Sequence, residues 1–189
     1  MSRRSVRRRR AVVSVVCATL LVGYSAADEA ADTVAPTVTI CTPDGTAQAA
    51  DELPDLSAIA PAIEAVRAEL GAEPEFFEIN ATARLVNLFV ALNGATMVQP
   101  WLYVDGTLSS DTAQQASGGT FGADLLDFDA DTVLEGVRTN VPDALLETFY
   151  VHGDGQGNVQ YGVLASAQCG GGLDVTVSPT GTVLSVDPT

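Results

Sequence analysis

Two stretches, Ala62-Ile63-Glu64-Ala65-Val66-Arg67 and Val133-Leu134-Glu135-Gly136-Val137-Arg138, carry the same order of apolar, acidic and basic side chains. Around the first, Ile59, Ile63, Val66 and Leu70 recur at three- and four-residue spacing, which lines one side of a helix. Ser57 stands where a cap belongs, Pro61 is tolerated in the first turn, and Gly71 marks a left-handed stop. The spacing predicts helices over 57–70 and 132–140. Strands follow each of them. Phe77, Ile79, Ala81 and Ala83 alternate with Glu78, Asn80 and Thr82, giving one buried and one wet face. Leu85 to Leu92 is a more continuous apolar run, turned by Asn93-Gly94. Trp101 to Val104 and Thr107 to Ser109 flank Asp105-Gly106, a two-residue hairpin signal. In the second half, Leu145 to His152 and Val159 to Ala167 read as strands about the glycine-rich turn 153–158. Leu173 to Ser178 and Thr182 to Val186 close as a hairpin around Pro179-Thr180-Gly181.

This order predicts an α+β fold: two tandem αβββ(β) repeats forming an antiparallel sheet of six to eight strands with both helices on one face. The first repeat spans 53–110, a connector 111–130, and the second repeat 131–189. Upstream, 28–52 reads as an acidic Ala/Thr/Pro linker with one short β-like stretch, Thr37 to Cys41.

Positive charge is confined. Six of the nine arginines fall in the first ten residues, followed by an apolar run from Ala11 to Gly23 and the triplet Ser25-Ala26-Ala27. That is the form of a cleaved export signal, 1–27, with an apolar run too short for a permanent span. The reading places the mature start near Asp28 and the protein outside the cytoplasm, secreted or in the cell envelope. Ser14-Val15-Val16 before Cys17 lacks the small residue of a lipobox, so no lipoprotein is expected. Without the leader, Arg67, Arg84 and Arg138 remain against all twenty-four acids, a balance near −21 with no lysine. Such a surface repels nucleic acid and anionic headgroups. It suits a cationic protein or peptide partner, and no membrane span after processing.

The closing hairpin, Val175-Thr176-Val177-Ser178-Pro179-Thr180-Gly181-Thr182-Val183-Leu184, together with Leu102 to Ser109, resembles the PepSY and β-lactamase-inhibitor-protein-like repeat group. The stretch Phe121 to Phe128 resembles secreted actinobacterial proteins built this way. The resemblance implies an extracytoplasmic interaction or inhibitory module without catalysis, and it supplies no catalytic residues.

Cys41 and Cys169 are the two cysteines beyond the leader, an even pair in an oxidising compartment. A disulfide between them would close most of the mature chain, a constraint of about 4–5 kcal/mol in the chain-entropy model. Asp127, Asp129 and Asp131 start like an EF-hand calcium loop. Thr132 then replaces its glycine and Arg138 its bidentate glutamate, so a capping box of Thr132 with Glu135 is preferred and no metal is expected. Glu64 with Arg67 and Glu135 with Arg138 are placed for local ion pairs. His152, the sole histidine, has Asp154 nearby but no nucleophile motif, and one histidine does not make a zinc site. No cofactor motif is present.

Trp101 and Tyr103 are the candidates for an exposed aromatic binding face. The sequence thus points to a non-enzymatic binding or inhibitory module acting through a sheet face. The alternative is a carrier whose curled sheet encloses an apolar ligand, which needs a cavity of roughly 300–1,000 Å³.

Overall fold

A computed structural model describes residues 48–189. The leader, Cys17, Cys41 and the stretch Thr37 to Cys41 lie outside the described residues.

A short 3-10 turn, Leu56–Ala58, runs into helix α1 (Ile59–Leu70). Asp55 caps the 3-10 turn, its carboxylate accepting from the Ser57 amide at 3.1 Å and from its hydroxyl at 2.5 Å. The cap position of α1 itself is Ala58, with no side-chain cap, so Ser57 does not serve as one. Gly71, at φ 65°, ends the helix by donating its N–H to the Arg67 carbonyl, since this left-handed conformation costs glycine nothing. Four strands follow: β1 (Glu75–Ala81), β2 (Val86–Leu92), β3 (Met97–Val104) and β4 (Thr107–Ser110). Asp105 and Gly106 both take positive φ between β3 and β4, the two-residue hairpin turn expected of them.

Two very short strands come next, β5 (Gln114–Gln115) and β6 (Phe121–Gly122), before helix α2 (Ala130–Asn140). Asp129 caps α2 by accepting the Thr132 amide at 2.8 Å, so Thr132 lies inside the helix and the Thr132/Glu135 box is not the cap. The chain ends in β7 (Ala144–Gly153), β8 (Val159–Ala167), β9 (Gly172–Val177) and β10 (Val183–Pro188).

All ten strands belong to one antiparallel sheet of order β10-β9-β8-β7-β1-β2-β3-β4, with β5 added to β3 and β6 to β1. The expected α+β tandem of αβββ(β) repeats with six to eight strands is thereby overturned. The fold is sheet-dominated, its two helices only 12 and 11 residues long. The expected connector, 111–130, itself supplies β5 and β6. Two-residue strands carry no period, so only pairing with an existing strand defines them.

One face of the sheet carries the apolar core. Phe76, Ile79 and Ala81 of β1 meet Val86, Leu88 and Val90 of β2, then Leu146, Phe149 and Val151 of β7. Ile63 and Val66 of α1 and Val133 and Val137 of α2 join the same cluster. Fully burying each large aliphatic or aromatic side chain contributes about 1.5–3 kcal/mol. The end of the expected linker is anchored too: Gln48 donates to the Leu146 carbonyl at 2.8 Å and accepts its amide at 2.7 Å. These bonds serve β7 beside its bulge between Leu146 and Thr148.

Gly136 occupies the α2 position that matches Ala65 in α1, and the reason is contact. A Cβ at Gly136 would run into the backbone carbonyl of Gly181 in the β9–β10 turn. Gly136→Ala should lower stability in urea unfolding by about 1–3 kcal/mol through overpacking, despite a helix-propensity gain of about 1 kcal/mol. A midpoint unchanged or raised would show that α2 does not touch that turn.

Candidate functional site

Strand alternation sends the other side chains to the outer face, opposite the core. Across its centre runs Asn87–Asn80–Tyr150–Gly162–Thr176, each residue paired with the next on neighbouring strands. One row along, Pro100, Phe89, Glu78, His152 and Gln160 are linked in the same way. Tyr150 organises this surface. Its ring lies over Gly162, where a Cβ would collide with the phenol. Its hydroxyl donates to Asp174 Oδ1 at 2.6 Å, and the ring stacks on His152 with centroids 5.5 Å apart at 11°. His152 Nε2 in turn lies 2.9 Å from Gln160 Oε1.

Burial, above all, raises the Tyr150 phenol beyond its ordinary range, followed by the hydrogen bond to Asp174 and the charges of Asp174 and Glu78. It therefore stays a neutral donor at any physiological pH. Beside it, the buried oxygen Asn80 Oδ1 has no hydrogen-bond partner. An unmet buried acceptor of this kind costs about 1–3 kcal/mol.

The sequence candidates lie elsewhere. Trp101 is only 8 % exposed and packs in the core, with Tyr103 half-buried against it, so neither forms an exposed aromatic face. Their β3 positions pair with Leu88 and Val86, both core residues, which fixes the side they share. Asp129 is spent on the α2 cap, and the bonds from Thr132 hold its carboxyl below the usual range. Asp131 follows in the first turn, while the Asp127 amide donates to the Tyr161 hydroxyl at 3.1 Å. Among the described residues, no group of three or more His, Cys, Asp or Glu is placed to hold a metal ion. Asp154 accepts from the Gln156 amide and from both the amide and side chain of Asn158. It therefore braces its own turn rather than orienting His152.

Arg67 binds Glu64 as expected, and also Glu73 at 2.8 Å. Among the described residues, Glu135 and Arg138 form no ion pair. Cys169, just after β8, is disulfide-bonded, while Cys41 lies outside the described residues.

On the core side, α1 and the segment from Gly122 to Ala130 border an open groove of about 800 Å³. Its apolar lining comes from Leu56, Ile59, Ile63, Leu126 and Phe128, and carboxylates stand around it. Among the described residues, no helix is long and apolar enough to cross a membrane.

No family model and no curated protein matches the chain. Among solved structures it is similar to one described as a "putative lipoprotein" from Clostridium difficile 630. That likeness has 11% identity, covers 73% of this chain and 94% of the other, and gives a TM-score of 0.46.

The raised Tyr150 sets a pH dependence of known sign. The unfolded phenol releases its proton near 10.0, whereas the folded one holds it longer. The unfolded state then binds fewer protons, so stability is full below pH 10 and falls as pH rises beyond it. Denaturant unfolding between pH 8 and 11.5 should show this fall, and Tyr150→Phe should reduce it, leaving the part due to Tyr161, whose phenol is likewise raised by burial. An identical alkaline slope in Tyr150→Phe would mean that Tyr150 is not held as described.

Proposed function

We propose that this chain is an exported, non-catalytic binding module whose outer sheet face engages a cationic protein. The observation that carries the reading is the prepared centre of that face. Tyr150 is fixed by Asp174 and His152 beside the unmet acceptor Asn80 Oδ1, and apolar Phe89 and Leu164 flank it. Rigid aromatic anchors next to satisfiable polar groups are what protein interfaces concentrate.

Charge supports the sign of the partner. Glu78, Asp174 and Asp187 lie on this face, whereas Arg67, Arg84 and Arg138 belong to α1, the β1–β2 turn and α2. Export rests on the leader pattern at 1–27. Against catalysis stand the engagement of His152 with Gln160 and the ordinary structural duty of Asp154. Against a curled-sheet carrier stands the sheet's open path from β10 to β4.

The test compares faces. Leu164 is 39 % exposed, so Leu164→Arg should leave stability within about 0.5 kcal/mol of the parent. A basic protein captured from the secreted fraction of the source culture should be lost with Leu164→Arg and with Phe89→Arg. It should be retained by Ala68→Arg on the exposed side of α1. Capture that survives both outer-face variants, or that fails with the parent protein, contradicts the reading.

A further inference from the structure

The groove beside α1 lies on the other side of the sheet from the face just discussed, and the two can be tested separately. It joins an apolar floor to an unbalanced ring of charge. Leu56, Ile59, Ile63, Leu126 and Phe128 offer hydrocarbon, while Glu64, Glu73, Glu75 and Asp124 offer carboxylates. Arg67 is the sole cation in this lining. Its guanidinium is already held by Glu64 and Glu73, so it is not free to receive an anion. Glu75 has only the Thr120 hydroxyl, at 3.3 Å, and Asp124 folds back beside Gly122. Neither has a cation, although both are exposed at the groove.

From this arrangement we propose that the groove binds a small cationic amphiphile, a protonated amine on an apolar chain. The amine meets Glu75 and Asp124, and the chain lies along the partly exposed Leu126 and Phe128. Both halves of the ligand follow from the groove: its rim lacks a free positive charge, and these two side chains leave hydrocarbon accessible. Its volume, about 800 Å³, falls within the range of roughly 300–1,000 Å³ typical of small-molecule sites. The same acids disfavour fatty acids, because a carboxylate head would face four carboxylates and one committed arginine.

The probe is decylamine, below its aggregation concentration, titrated calorimetrically into the full protein at pH 7. Decanoate and decanol serve as head-group controls. Decylamine should bind with one site while the controls do not. The double variant Glu75→Gln/Asp124→Asn should weaken binding on the order of tenfold. Ala60→Trp, at an exposed lining position on α1, should abolish binding by occupying the groove, with an unchanged unfolding midpoint. Asp187→Asn, remote on β10, should leave the affinity unaltered.

Absence of binding would overturn the assignment. So would equal binding of decanoate, retention of affinity in Ala60→Trp, or the same loss from Asp187→Asn, which would indicate general attraction to an acidic protein. A lysine- and leucine-bearing peptide that binds more tightly than decylamine would replace the small amphiphile with a peptide.

Discussion

Pairing of Ile79 with Val151 and of Ala81 with Phe149 joins the two halves of the chain through β1 and β7. All four of these side chains are buried, and their neighbours Glu78, Asn80, Tyr150 and His152 point the other way. Because side chains alternate with a period of two, a one-residue slip of β7 would turn Phe149 and Val151 outward, and one of β1 would turn Ile79 and Ala81 outward and Glu78 inward. The penalty for that exchange holds the register. With the register fixed, the core, the outer polar array and the positions of both helices follow.

The strands and turns of long periodic segments were legible in the sequence. Alternation placed Ile79 and Ala81 on the buried face of β1, but a bulge between Phe76 and Glu78 puts Phe76 in the core where Phe77 was expected. Asp105-Gly106 located a hairpin that the backbone requires. Other features depend on partners distant in the chain. Nothing local distinguishes Gln114-Gln115 or Phe121-Gly122 as strands, because each is defined only by the strand it pairs with. Trp101 and Tyr103, an isolated aromatic pair, read equally well as core or interface. Only the β2–β3 register, which places Trp101 opposite Leu88, decides between them.

The candidate sites show the same division. The acids before α2 looked like metal ligands by spacing, yet the first turn of a helix makes a prior claim on Asp129 through its unpaired amide. Tyr150 left no motif, since its partners Asp174, His152 and Gly162 come from three strands and converge only after folding. Gly136 and Gly162 each make room for another group, the Gly181 carbonyl and the Tyr150 ring. A signal for both was present only in the mismatch between a glycine and its regular surroundings.

The central claim is that the core occupies one face of the sheet, leaving binding chemistry to the other face and to the margins of the helices. Trp101, the chain's one tryptophan, reports on it directly. Acrylamide quenching of its fluorescence in the native protein is the most direct measurement. The account predicts blue-shifted emission and a quenching constant far below that of the urea-unfolded chain. Native emission at the wavelength of free tryptophan, with quenching as efficient as in urea, would place Trp101 on the surface and contradict the account.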